Sequence, residues 1–190
     1  MLFRSPDQVW LSDITYLWTT EGWLYVCCVL DLFTRQIVGW SMAAHMTSEL
    51  VLAALDMAYA KRGPRRGLIF HSDRGSQYAS LLIRQWLTQR GIRQSMSGTG
   101  NCYDNAPMES FWHSLKVEAT HGQHFATRDE AKHSVFAYIE GWYNTTRMHS
   151  SLGYQSPAQF ERAWLETSNA ANDEPINQNS PTARLNKKAA

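Results

Sequence analysis

From Val9 to Tyr16 the chain alternates, with Val9, Leu11, Asp13 and Thr15 on one face and Trp10, Ser12, Ile14 and Tyr16 on the other. That is the period of a strand whose two faces meet different surroundings. Gly22 marks a turn, and Trp23 to Leu30 is then apolar almost throughout, as expected of a central strand covered on both sides. Asp31 to Gln36 makes the next turn, leading into a third strand, Ile37 to Met42. Three strands on short connections read as an antiparallel meander. At Thr47 the period changes. Leu50, Val51, Ala54, Leu55, Ala58 and Tyr59 recur at three and four, which predicts an amphipathic helix from Ser48 to Lys61 with Thr47 as its cap.

Gly63-Pro64 ends that helix, and Leu68 to Ser72 is a fourth strand. A helix from Leu81 to Arg90 is stopped by Gly91, and Ile92 to Met96 is a short fifth strand. The order β-β-β-α-β-α-β gives an α/β fold, a mixed sheet with helices on its faces. Ser97 to Asn101, with two glycines and no apolar residue, is expected to be mobile. Asp104 or Asn105 caps a helix running to about Glu118, with Pro107 tolerated in its first turn. Thr127-Arg128-Asp129-Glu130 is a capping box for a helix to Trp142 or Tyr143, and Ser156-Pro157-Ala158-Gln159 a second for a helix to about Glu166.

Composition adds limits. At 190 residues and 44% hydrophobic the chain can bury one good core, assigned to residues 1–167. The last 23 residues, from Ser168, are rich in Asn, Ala, Pro and Lys and read as a disordered tail. A net charge of +1 does not by itself point to nucleic acid, so any basic surface must be local. Of three cysteines, two are adjacent in an apolar run, which gives neither a disulfide framework nor zinc spacing. No segment approaches the ~20 apolar residues of a membrane span, so a cytoplasmic protein without a membrane partner is expected.

The chemistry sits in acids. Leu68-Ile69-Phe70 ends in His71-Ser72-Asp73-Arg74-Gly75, so a strand delivers Asp73 to its carboxyl end; Asp13 lies mid-strand; and Glu109, separated from Asp73 by 35 residues, stands near a helix start. Singly, Asp73 would be a turn former and Glu109 a dipole partner, whereas an Asp inside a strand is costly when buried unpaired. Together they make a site for hard cations, which take carboxylate oxygens. On their helix Asn105, His113 and Lys116 share the face of Glu109. Asp31 reads as a turn residue with a secondary role behind such a site as the alternative, and His71 as a packed or hydrogen-bonding histidine rather than a ligand.

Trp10-Leu-Ser-Asp-Ile-Thr-Tyr16, Val29-Leu-Asp-Leu-Phe-Thr-Arg35, Ile37-Val-Gly-Trp40, His71 to Tyr78, Gly100 to Phe111 with Leu115-Lys116, Tyr138 to Asn144, Arg147-Met-His149 and Leu152 to Pro157 together resemble the integrase-core catalytic domain of bacterial insertion-sequence transposases, the retroviral-integrase-like DDE class. The resemblance spans about residues 7–162. It implies a ribonuclease H-like five-stranded sheet with extra C-terminal helices. It also implies Asp13, Asp73 and Glu109 as a triad holding two Mg²⁺ or Mn²⁺, with Asp13 bridging both ions. The implied activity is DNA cleavage and strand transfer by in-line attack of water and then of a 3′-hydroxyl. Lys116 matches the basic residue that contacts the element's end, and Arg74, Asn105, Arg147 and His149 are further candidates for phosphate contact. DNA and a second copy of the chain are the expected partners. The chain starts about a dozen residues before Asp13, so the helix-turn-helix part usual in such transposases is expected elsewhere, on a separate protein or a missing segment. The alternative function is a catalytically silent DNA-binding or oligomerising fragment that regulates a full-length transposase.

Overall fold

Why one sheet can be buried on both faces is plain from β1 (Val9–Thr19) and β2 (Gly22–Asp31) in the computed structural model, which describes residues 4–64, 66–98 and 105–173. The two strands pair antiparallel over their whole length, Trp10 opposite Asp31 and Thr19 opposite Gly22. Alternate residues then feed two separate cores. Val9, Leu11 and Leu17 of β1 join Leu24, Val26 and Cys28 of β2 in one. Trp10 joins Cys27 and Val29 in the other. β2 alternates between these cores, which is why its sequence shows no polar face.

β3 (Ile37–Ala43) completes the antiparallel meander on β2. α1 (Ser48–Arg62) then crosses the sheet, and β4 (Ile69–Ser72) pairs parallel to β1. After α2 (Leu81–Gln89), β5 (Arg93–Met96) pairs parallel to β4. The order is β3-β2-β1-β4-β5, the mixed five-stranded sheet that the pattern predicts. Thr47 stands at the predicted start of α1, but its side chain makes no cap hydrogen bond. α2 has a working cap in Ser80, whose hydroxyl accepts from the Ile83 amide.

The second core is covered by α1 and α2, the first by α3 (Ala106–Ser114) and α4 (Arg128–Phe136). Both of the latter widen into π-helical turns, Leu115–Thr120 and Ala137–Tyr143, where plain helices to Glu118 and Tyr143 were expected. The Thr127 capping box is present in both directions. So is the one at Ser156, where Gln159 and Ser156 exchange side-chain-to-amide hydrogen bonds.

α5 (Pro157–Asp173) corrects the tail boundary, since Ser168 to Asp173 continue the helix. The rest of the predicted tail, and most of the Ser97 to Asn101 loop, lie outside the described residues. No helix among the described residues is long and apolar enough to cross a membrane.

Two local devices hold the layers in register. Buried Asn144 accepts from the Ile37 amide at 2.9 Å and donates to the Ile37 carbonyl at 3.0 Å, pinning the chain after α4 to the start of β3. Asp31 is buried and is the turn former expected. Its carboxylate accepts from the amides of Asp7, Phe33 and Thr34 and from the Thr34 hydroxyl. Burial still raises its carboxyl above the usual range, because those bonds only partly offset the lost hydration.

Candidate active site

Register brings the first two acids together. The parallel pairing sets Val9 beside Ile69 and Leu11 beside His71, an offset of 60 (69 − 9 = 71 − 11 = 60). Continued by two residues, the same offset sets Asp13 level with Asp73. β4 ends at Ser72, so Asp73 emerges at its carboxyl end while β1 runs on to Thr19. The two side chains have the same parity and leave the sheet on one side, the side covered by α3. Glu109 stands in the first turn of that helix.

α3 is fastened to β1 beside these acids. Met108, Phe111, Trp112 and Leu115 fill the first core at helical spacing, and Glu109 borders this stripe. Three residues beyond Glu109, the Trp112 indole donates to Asp13 Oδ2 at 2.9 Å. Asp13 Oδ1 accepts from the Ile14 amide at 2.8 Å. Both oxygens of the strand carboxylate are thus oriented by fixed donors, one from each of the elements that carry Asp13 and Glu109. An indole at i+3 from Glu109 was the available sequence signal for this contact, and a reading confined to titratable residues passed over it.

Burial raises the Asp13 carboxyl above its ordinary range; the Ile14 amide and the Trp112 indole pull it back, and the charges of Asp73 and Glu109 push it up again. Asp13 therefore feels both of the other acids. Among the described residues no lysine, arginine or histidine pairs with any of them. The donor set of three unneutralised carboxylates suits a hard cation. They are not drawn into a closed cage, for no three His, Cys, Asp or Glu side chains among the described residues are close enough to hold an ion together. Asp73 is exposed and turned back on its loop, Oδ1 accepting from the Gly75 amide at 2.9 Å. A Cβ at Gly75 would stand 3.0 Å from that oxygen and 2.9 Å from Gln77 Oε1, so a side chain there would have to displace the Asp73 and Gln77 side chains.

Behind the acids the loop is anchored. Tyr78, fully buried, shares a hydrogen bond of 3.0 Å with Ser12 Oγ, next to Asp13 in β1. Cys27 lies against the same pair, and burial pushes its thiol up to about 12; Cys28 is also buried and raised. Neither is a nucleophile at neutral pH. His71 is the hydrogen-bonding histidine expected, its ring nitrogens 3.0 Å from Ser95 Oγ and 3.2 Å from Ser97 Oγ.

The basic candidates divide. Arg74 is exposed beside Asp73 and fixed by its Nε on the Ser97 carbonyl. Lys116 is exposed on the π-helical turn after α3, its Nζ 5.8 Å from the Tyr16 ring centre. Asn105 occupies the cap position of α3 without capping through its side chain, and its buried Oδ1 has no partner among the described residues. Arg147 and His149 are committed elsewhere. Arg147 pairs with Glu118 at 2.9 Å, and Glu118 also accepts from Tyr138 and Trp142. His149 stacks edge-on against Tyr143, and burial with nearby arginines lowers it to about 4, so at neutral pH it carries no charge for a phosphate. A cavity of about 880 Å³ between Asp7, Arg62, Arg93 and Trp164 opens at the other end of β1 and β4 from these acids.

Two family models, both described as integrase core domain, match residues 4–102 and 109–165. The chain is 51% identical over 157 residues to the transposase InsF for insertion sequence IS3A of Escherichia coli (strain K12), covering 83% of this chain and 54% of that one. It is 50% identical over 158 residues to the transposase for insertion sequence element IS904 of Lactococcus lactis subsp. lactis, covering 83% and 62%. The chain thus spans a little over half the length of these relatives. Among solved structures it superposes on a chain of the simian T-cell lymphotropic virus intasome with a TM-score of 0.68 at 17% identity, covering 83% of this chain and 55% of the other. The HTLV-2 integrase catalytic core domain in complex with magnesium gives 0.57 at 16% identity, covering 83% and 97%. The fold is therefore ribonuclease H-like, and the chain belongs to the integrase core domain family of insertion-sequence transposases.

Proposed function

We propose that the chain is a transposase catalytic core that cuts DNA and transfers the cut strand, with Asp13, Asp73 and Glu109 as its metal-holding triad. The observation that supports this reading is that Asp13, tied to α3 by the Trp112 indole, feels the charges of both Asp73 and Glu109, and that no basic side chain among the described residues pairs with any of the three. Two divalent ions, Mg²⁺ or Mn²⁺, would supply there the positive charge that an in-line phosphodiester displacement needs at its attacking and leaving oxygens. Magnesium in the HTLV-2 integrase core supports that choice.

The chain's own groups supply position. The indole and amide on Asp13 fix its carboxylate before any substrate arrives, which removes a reorganisation cost from the reaction. Glu109 stands in the first turn of α3, at the positive end of the helix. Arg74 and Lys116 would meet DNA phosphates. Such contacts set register on DNA but carry no sequence information, so recognition of element ends is assigned to sequence outside this chain or to a separate helix-turn-helix protein. Self-association on paired DNA ends is part of the same proposal, by analogy with the viral intasome.

A strand-transfer assay with precleaved ends in Mn²⁺ tests the reading. Joined products support it, cut-only products reduce it to a hydrolytic nuclease, and binding with neither leaves a silent DNA-binding fragment. Glu109→Gln is expected to lower cleavage by more than about a hundredfold, beyond what losing a mere supporting bond to a ligand costs, with DNA affinity unchanged in a gel shift. Cleavage at the parental rate would remove Glu109 from the chemistry.

Trp112→Phe probes positioning. The ring stays packed but its donor to Asp13 is gone, so cleavage should fall by about 10–100-fold and need more Mn²⁺ for half-saturation. An unchanged Mn²⁺ dependence would make the indole a packing group only.

A further inference from the structure

β1 outruns β4. After Leu11 pairs with His71 the strand continues to Thr19 with no described strand on that side. On this projecting β1–β2 ribbon, Tyr16 stands opposite Tyr25 and Trp18 opposite Trp23. Their rings form one chain of edge-on contacts: Tyr25 to Tyr16 at 6.2 Å, Tyr16 to Trp23 at 4.9 Å, and Trp23 to Trp18 at 4.7 Å. Three of these rings face solvent, with Tyr16 54%, Trp23 43% and Trp18 61% exposed, while Tyr25 is half-buried against the second core. A contiguous aromatic surface of this kind is unusual on a soluble domain unless something binds it.

Two observations point to the occupant. Lys116, two turns along from Glu109, brings its ammonium 5.8 Å from the Tyr16 ring centre, so a cation stands at the end of the ladder nearer the acids. The carboxylate at the hairpin tip, Glu21, lies 4.0 Å from Arg128 and is partly neutralised. Along β1, Tyr16 is three residues from Asp13, about 10 Å, or about three steps of a DNA strand. By strand parity the two point to opposite faces, so a DNA strand would pass from the acids to the ladder around the edge of β1 that β4 leaves open, where Lys116 from the α3 side meets the Tyr16 ring. Aromatic faces with a neighbouring cation are what proteins use to hold unpaired nucleic acid, since every base has a stackable face and every nucleotide a phosphate.

We propose that Tyr16, Trp18, Trp23 and Tyr25 form a stacking platform for unpaired bases flanking the DNA position held at the acids, with Lys116 on the adjoining phosphate. The platform rests on the DNA reading of the site and adds to it a substrate feature, unpaired nucleotides beside the scissile phosphate.

The test uses the full chain and two fluorescein-labelled duplexes of equal length, one blunt and one carrying a short unpaired thymidine flap, with binding read by anisotropy. The parent chain should bind the flap duplex at least about tenfold more tightly, given the strength of base–aromatic stacking. The double variant Trp18→Thr/Trp23→Thr keeps β-formers on an exposed face. It should lose the preference while still binding the blunt duplex. Trp18→Phe/Trp23→Phe, which keeps ring faces, should restore it. A preference that survives in the threonine variant, or is missing from the parent, overturns the platform. So does sedimentation showing that the tryptophans hold two copies together with no effect on flap binding. A parent chain that cuts DNA in Mn²⁺ without flap preference sinks the platform alone. Flap preference without cutting sinks the triad chemistry alone.

Discussion

Asp13→Asn is expected to lower Mn²⁺-dependent cleavage by at least about a thousandfold, more than the loss of one transition-state donor usually costs. Asp13 is the acid whose oxygens are both pre-oriented, by the Trp112 indole and the Ile14 amide. It is also the one on which the charges of Asp73 and Glu109 converge. The substitution removes a buried charge, which favours folding. It also turns an amide NH₂ toward one of two fixed N–H donors, which costs about 1 kcal/mol. These effects oppose, so the melting temperature should stay within about 5 °C of the parent. Mn²⁺ separates the cases further: ions that bind only the folded chain raise its melting temperature, and the parent should gain where the variant does not. Cleavage by Asp13→Asn within tenfold of the parent, or an equal thermal gain from Mn²⁺, would take Asp13 out of the metal site.

How much of this was visible in the residues differs by element. The alternation in β1 and the unbroken apolar run of β2 follow from local period, and both strands appear nearly where the pattern puts them. Asp13 and Asp73 were legible as candidates because each breaks a local expectation, a carboxylate inside a strand and a strand ending in an acid. That they stand level was not legible. It depends on the parallel register of β1 with β4, which joins residues 60 apart and leaves no local trace. Trp112 was hidden for a related reason. Its spacing marks it as core, and it is core, yet its indole nitrogen reaches Asp13. Arg147 and His149 show what a motif leaves out. A basic residue in a matching motif suggests a phosphate contact, but only the fold reveals that Glu118 already occupies Arg147 and that burial leaves His149 neutral. The π-helical turns after α3 and α4 likewise left no trace in the residue pattern, which reads as plain helix there.

Gly39→Ala should cost about 3 kcal/mol or more, although it adds one methyl group. A Cβ there would lie 2.2 Å from the Ala54 carbonyl oxygen, 2.7 Å from Ala58 Cβ and 2.8 Å from the Ala58 amide nitrogen. These are mostly backbone atoms of α1, so no rotamer change can relieve the overlap. Either the helix lifts from β3 or the strand bends, and both open the second core, where Val38, Ala54 and Ala58 are buried. At about 2–4 °C per kcal/mol for a domain of this size, the melting temperature should drop by about 6–12 °C. The acids lie on the other face of the sheet, under α3, so the molecules that remain folded should cleave at the parental rate. The experiment thus separates scaffold from chemistry: a drop in melting temperature below about 2 °C would mean that α1 does not sit this close to β3. A parallel fall in activity per folded molecule would mean that the two faces of the sheet are coupled.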